Sequence, residues 1–341
     1  MFEAKPFRAA RASVSSLINR HSSLVGIVAL ASMSAMPLAA QQYPSKPIRL
    51  IVPFAPGGGT DMVARVIQPK LSERLGASVV VDNRGGAGAI IGTAMAAKAA
   101  PDGYTLLVCD TAHTIQPALQ KLDYDPIKSF SLIASLVVGD SMLVSPGNFP
   151  AGTISDFIAL AKKKPGQLVA GTAGAGSSGH MALELFRVMA GIDLIMAHYK
   201  GAGAAQIDLL AGQVHISNVT IQAAVPHIKT GRMKALGVGG LKRSAVLPDV
   251  PTIDESGVKG YQSVGWRGLM GPAGIPAPIT ARLTREVKAI LESPDVKTHF
   301  LNNAMETDYR DPQQFAAYIR DEMKRWSGVV KKANISLDTR K

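Results

Sequence analysis

Aromatic residues are scarce in this chain of 341 residues, at 5%, and cysteine occurs once, as Cys109. One thiol makes no internal disulfide and no cysteine-based metal site. Within the apolar run Tyr104-Thr105-Leu106-Leu107-Val108-Cys109 it reads as a small buried hydrophobe on a strand. Charged residues are also few, 18% against 47% apolar, a balance that excludes a disordered chain. No segment after residue 40 reaches roughly 18 uninterrupted apolar residues, the length a membrane helix needs. Basic residues outnumber acidic ones 37 to 25, yet Lys162-Lys163-Lys164 is the only run, and it ends a predicted helix where cations suit the macrodipole. Without a basic stripe interleaved with aromatics, the surplus of 12 positive charges does not read as a nucleic-acid surface. It reads as a general attraction for anions.

What is abundant is glycine (33 residues) and proline (21), the composition of tight turns and close helix–sheet packing in an α/β protein. The first 40 residues read as a secretory signal. Lys5, Arg8, Arg11 and Arg20 form a basic region, Leu24 to Met33 an interrupted apolar stretch, and Leu38-Ala39-Ala40 a cleavage site. No twin-arginine pair appears, and no cysteine follows to carry a lipid. The expectation is an exported protein, periplasmic in a Gram-negative cell, where little free ATP or NAD is at hand.

The mature chain alternates short apolar strands with helices. Ile48–Val52 is a strand, Pro53-Phe54-Ala55-Pro56-Gly57-Gly58-Gly59 a loop, and a helix capped by Thr60 follows, bent at Pro69 and stopped at Gly76. A strand at 79–81, a second loop Gly85-Gly86-Ala87-Gly88, an alanine-rich helix at 90–99 and a strand at 104–109 come next. The alternation resumes with a strand at 168–170, a loop over 171–180, a helix to about Ala190, and strands near 192–198, 214–219 and 234–238. Two amphipathic helices at 279–292 and 312–333 end the chain. Such alternation predicts largely parallel sheets, in two lobes parted at Ser145-Pro146-Gly147.

Loops 53–61 and 171–180 carry the chemistry. Glycine lets backbone approach a ligand, and the following helix N-terminus offers unsatisfied N–H groups and a partial positive charge. Together they form an anion site without a cationic side chain. Ser177 and Ser178 add hydroxyl donors, whereas Asp61 repels a carboxylate and so caps amides or meets an ammonium or hydroxyl. Either loop alone reads equally as a tight strand-to-helix turn. Enzyme motifs fit poorly: neither loop has a Walker lysine, Gly92 falls one residue late for a dinucleotide fingerprint, and His180 stands where a nucleophile elbow needs glycine. His113, His180, His198, His215 and His227 show no metal spacing, and His180 alone stands beside a loop serine pair. No cofactor and no metal are expected.

The chain resembles the Bug (Bordetella uptake) or tripartite tricarboxylate transporter substrate-binding proteins over nearly its whole mature length. The resemblance rests on Tyr43-Pro44-Ser45-Lys46-Pro47-Ile48-Arg49 with Val52 through Asp61, on Asp82-Asn83-Arg84 before the second glycine loop, and on Ala100 through Leu107. It continues through Gly176-Ser177-Ser178-Gly179-His180, Tyr199-Lys200-Gly201, Leu209 through Val214, Leu247 through Thr252 and Trp266-Arg267-Gly268-Leu269. It implies a two-lobed periplasmic-binding-protein type II fold with an interlobe ligand cleft, the first lobe at 41–144 and 265–341 and the second at 145–264. It also implies a non-enzymatic monomer that captures a small carboxylate by lobe closure, for a membrane permease or, alternatively, a sensor kinase; a periplasmic hydrolase is the weaker reading. The ligand-contacting set expected is Phe54, Ala55, Gly57, Gly58, Gly59, Thr60, Asp61, Ala112, His113, Thr172, Gly176, Ser177, Ser178, His180, Tyr199, Asn218 and Thr220. Three departures stand out: His198 replaces a common proline, and His215 and Val219 stand where the family often has acids. The ligand's distal half is therefore expected against Asn218 or Thr220.

Overall fold

The computed structural model describes residues 1–2, 43–332 and 335. The leader read at 1–40 therefore lies outside the described residues except for its first two. Among the described residues no helix is long and apolar enough to cross a membrane.

From Lys46 onward the chain folds around one path of hydrogen-bonded strands. Strands β1 (Ile48–Val52), β2 (Val79–Asn83) and β3 (Thr105–Asp110) pair in parallel in the order β2-β1-β3. Their crossovers are helices α1 (Gly59–Leu75) and α2 (Ile90–Ala97). Apolar residues bury both faces of β1 and β3, as a sheet covered on two sides requires. A 17-residue strand, β4 (Phe130–Pro146), then spans the molecule. Its first half pairs antiparallel with β9 (Val264–Pro272) and β10 (Met305–Arg310), and its second half with β7 (Ile216–Thr220) and β8 (Met233–Val238). Beyond β7 lie β5 (Val169–Thr172) and β6 (Ile195–His198), again parallel.

The remaining helices are α3 (Ala112–Leu119), α4 (Ile154–Lys163), α5 (Ser178–Ala190), α6 (Ala202–Leu210), α7 (Ile221–Lys229), α8 (Ala277–Glu292), α9 (Pro294–Asn302) and α10 (Pro312–Lys332). Two large cores flank the β4 midpoint. One packs Ile51, Leu107, Cys109, Phe130, Trp266, Phe315 and Ile319; the other packs Leu143, Phe157, Phe186, Ile216 and Tyr261. Cys109 is the buried strand residue its apolar surroundings predicted.

Three expectations need correction. The sheet is mixed, because β4, β8, β9 and β10 run antiparallel to their neighbours; apolar periodicity marks strands but carries no direction. Ser145-Pro146 is no linker: both residues close β4 opposite Lys234 and Met233, a strand-end place where a missing N–H is tolerated. Thr60 does not cap α1. Gly58 is the N-cap, and the Thr60 hydroxyl, inside the helix, turns to Asp110 at 3.4 Å.

The C-terminal helix α10 meets the sheet by close approach. A Cβ on Gly268 would lie 2.2 Å from the Phe315 ring, which stacks edge-on against Trp266 at 5.6 Å. Gly268→Ala is therefore expected to lower unfolding free energy by about 1–3 kcal/mol in urea denaturation. Adding Phe315→Leu should recover part of that loss, and strict additivity of the two changes would contradict the contact.

Candidate functional site

A cleft lies where β4 passes from one set of partners to the other, at Gly139 and Ser141. It holds about 840 Å³ of space, its open mouth included. Five helices present their N-terminal residues to it. These are Gly58, Gly59 and Thr60 for α1, Thr111 for α3, Ser178 and Gly179 for α5, Ala202 for α6 and Thr220 for α7. The first turn of a helix has N–H groups without intrahelical acceptors and about half a positive charge. The cleft is thus lined with donors although few of its side chains are basic.

Asp110 and Arg267 are the charged side chains of the lining. They are register partners across β3 and β9, and each is less than a tenth exposed. Even so, they form no ion pair within 4 Å among the described residues. The Asp110 carboxylate instead accepts from the Ala112 N–H at 3.0 Å and the Thr60 hydroxyl at 3.4 Å. Burial pushes the Asp110 carboxyl up to about 6, against the opposing pull of Arg267 and these hydrogen bonds. Burial likewise lowers the Arg267 guanidinium from its ordinary value, with Asp110 opposing the shift. Arg267 Nε and Thr220 Oγ1 are buried without a hydrogen-bond partner among the described residues.

Of the residues expected from sequence, Phe54, Gly57, Gly58, Gly59, Thr60, Ser178, Asn218 and Thr220 come together in this lining. Asn218 donates to Ser141 Oγ at 3.0 Å, and Ser141 in turn to the Ser263 carbonyl at 3.1 Å. The other expected residues lie outside the lining, in the loops, helix starts and strand end behind it. Asp61 accepts from the Gly57 N–H, Asn83 and Arg65, which fixes the bend of the first loop. These bonds hold its carboxyl below the usual range in spite of burial. Ala55 packs where a Cβ on Gly201 would lie 2.8 Å away.

Ser177 caps α5 by accepting from the His180 N–H, and His180 Nδ1 accepts from the Gly176 N–H at 3.0 Å. His180 also meets His198 edge-to-face at 4.8 Å, and His198 bonds Thr172 at 2.8 Å. Tyr199 donates to Asp208, a bond that pushes its phenol up to about 12. Ala112 is fully buried, and His113 belongs to an aromatic core with Tyr124 and Phe130, its Nε2 2.7 Å from the Pro126 carbonyl. Burial lowers the His113 imidazole to about 4.

Sequence reasoning missed Asp110, Ser141, Ser263, Gly265 and Arg267 as lining residues. One signal was present: Arg267 is the lone charge in the otherwise apolar or glycine-rich segment 264–272.

Ionisation of Asp110 in its buried place opposes folding. Its folded value lies above the unfolded one, so the stability linked to its protonated form is complete below about pH 4 and is lost as pH rises through about 6. Replacing it by asparagine removes this dependence. Denaturant unfolding from pH 4 to 7 should show wild type losing about 2–3 kcal/mol relative to Asp110→Asn; parallel pH profiles would refute a buried ionising carboxyl.

Comparison with known proteins points to one group. The family model described as tripartite tricarboxylate transporter family receptor matches residues 63–335. BugT of Bordetella pertussis is 36% identical over 317 residues, 92% of this chain and 97% of that protein. Among solved structures, the periplasmic binding protein BugD superposes with TM-score 0.84 at 34% identity, over 86% of this chain and 99% of that one. MatC from Rhodopseudomonas palustris, solved with bound malate, gives 0.81 at 34%, over 84% and 100%. A further R. palustris protein, solved with adipate, gives 0.83 at 32%, over 86% and 99%. The fold is that of these periplasmic binding proteins.

Proposed function

Because the chain belongs to the tripartite tricarboxylate transporter receptor family, we propose that it captures a small carboxylate in the cleft at the β4 midpoint and delivers it to a membrane permease. The observation that carries this reading is the convergence of five helix N-termini on one cleft. A carboxylate is an acceptor-only group, so it matches a wall of N–H and O–H donors that water would otherwise solvate. Each bond to the charged ligand is worth about 1.5–3 kcal/mol, and three or four of them suffice for micromolar affinity, about −8 kcal/mol. The relatives solved with malate and adipate favour a dicarboxylate, with acidic amino acids, tricarboxylates and aromatic acids as the other candidates.

The same reading assigns residues 41–144 and 265–341 to one lobe and 145–264 to the other. The chain crosses between them on β4 and β9, so that the two walls close over the ligand about these strands. Export by the leader at 1–40 places the mature protein in the periplasm, and binding without catalysis is the activity. Delivery to a sensor kinase uses the same closure, and co-purification partners distinguish the two.

Gly58 tests the site. Its backbone is extended, and a Cβ there meets only the Ala202 Cβ, at 3.8 Å across the cleft. Gly58→Phe should therefore fill the cleft without straining the chain. In a thermal-shift screen over di- and tricarboxylates, acidic amino acids and aromatic acids, wild type should gain about 5 °C or more with its ligand at 100-fold excess over Kd. Gly58→Phe should keep the unliganded Tm and lose the gain; an unchanged gain would show that ligand binds elsewhere.

A further inference from the structure

We propose that Arg267 is the charge partner of the bound ligand and makes the cleft select an ionised acid group over its uncharged isosteres. This inference rests on the reading of the cleft as the ligand site.

The geometry starts from a pairing that does not happen. Arg267 and Asp110 stand opposite one another on β9 and β3, where side chains share a face. The carboxylate nevertheless turns away to the Ala112 N–H and the Thr60 hydroxyl. The guanidinium reaches instead to the α1 N-terminus. A Cβ added to Gly59 would lie 2.8 Å from Arg267 Nη2 and 2.6 Å from Thr220 Cγ2, and one added to Gly265 would lie 3.2 Å from Nη1. Glycine at 59 is what lets the guanidinium and Thr220 sit against the first turn of α1.

Arg267 makes no hydrogen bond and no ion pair among the described residues, although it is only 7% exposed. Thr220 Oγ1, in the same cleft lining, is likewise buried without a hydrogen-bond partner among the described residues. A fixed cation without a protein acceptor and the start of helix α1 therefore lie side by side in the cleft lining, with Thr220 packed against them through its methyl group. A guanidinium presents a planar fork that binds a carboxylate through two parallel bonds. An amide would turn its NH2 toward these donors, and a neutral group would leave the buried cation uncompensated.

A guanidinium kept for a ligand differs from one kept for the fold. Breaking a structural buried pair destabilises the protein, whereas removing an uncompensated buried charge does not. The first test is the Tm of ligand-free Arg267→Met at pH 5, below the value of about 6 to which burial pushes the Asp110 carboxyl. It should equal or exceed that of wild type, and a fall of several degrees would overturn the proposal. The second test is calorimetry at pH 7.5 with adipate, malate and adipamide. Wild type should prefer adipate over adipamide by about 100-fold or more, Arg267→Gln should nearly abolish that ratio, and Arg267→Lys should weaken dicarboxylate binding about 10-fold or more. Dicarboxylate affinity and discrimination unchanged in Arg267→Gln would overturn the role of Arg267, even with the cleft confirmed. Dicarboxylate binding that survives Gly58→Phe would instead remove the cleft reading itself. Should neither acid bind wild type, the Tm of Arg267→Met decides alone.

Discussion

The rest of the molecule depends on the continuity of strand β4. Seventeen residues of extended chain run roughly 55 Å. That length lets one strand serve two sets of partners, β9 and β10 on its first half and β7 and β8 on its second. Hydrogen-bond register is a discrete constraint, since a one-residue slip would turn every side chain to the opposite face. The positions of Gly139 and Ser141 along β4 therefore fix where the two sets of helices face each other. The cleft forms at that handover, and its walls inherit their spacing from the sheet.

From this follows an unusual electrostatic arrangement. In a parallel unit a helix starts just after its strand ends, so helix N-termini gather along one edge of the sheet. Two such groups meet at the cleft, and five N-termini line it. Positive potential here comes mainly from backbone dipoles, which are fixed in direction and have no pKa. The exception is Arg267, held between β3 and β4 while its register partner Asp110 bonds to backbone and hydroxyl donors. A site of this kind attracts acids through geometry, and its overall surplus of positive charge contributes only at long range.

The residues that look most chemical in sequence prove mostly to shape the loops. Asp61 gathers the Gly57 N–H, Asn83 and Arg65 into a rigid bend. His180 holds the Gly176 N–H and leans on His198, which holds Thr172. These bonds fix the shape of the loops from which Thr60 and Ser178 reach the cleft lining. Buried polar side chains in such loops are satisfied first by their own backbone, because an unpaired buried group costs about 1–3 kcal/mol.

By itself the sequence determined the strands β1 to β3 and β5 to β8, the helices α1, α2, α5, α8 and α10, the two glycine-rich turns and the family, but not β4, β9 or β10. Periodicity, caps and turn residues are local physics, and the family signatures are contiguous strings. It also placed Phe54, Gly57 to Thr60, Ser178, Asn218 and Thr220 at strand ends and helix starts, where the structure brings them together. Strand direction was not legible, nor was the continuity of β4 through Ser145-Pro146, since both depend on pairing between distant segments. Tertiary structure alone decided that Arg267, in an apolar strand, would point its guanidinium past Asp110 to the start of a helix more than 200 residues earlier. Charge on a strand residue says only that burial is costly; which group answers that charge is settled by what the fold sets beside it.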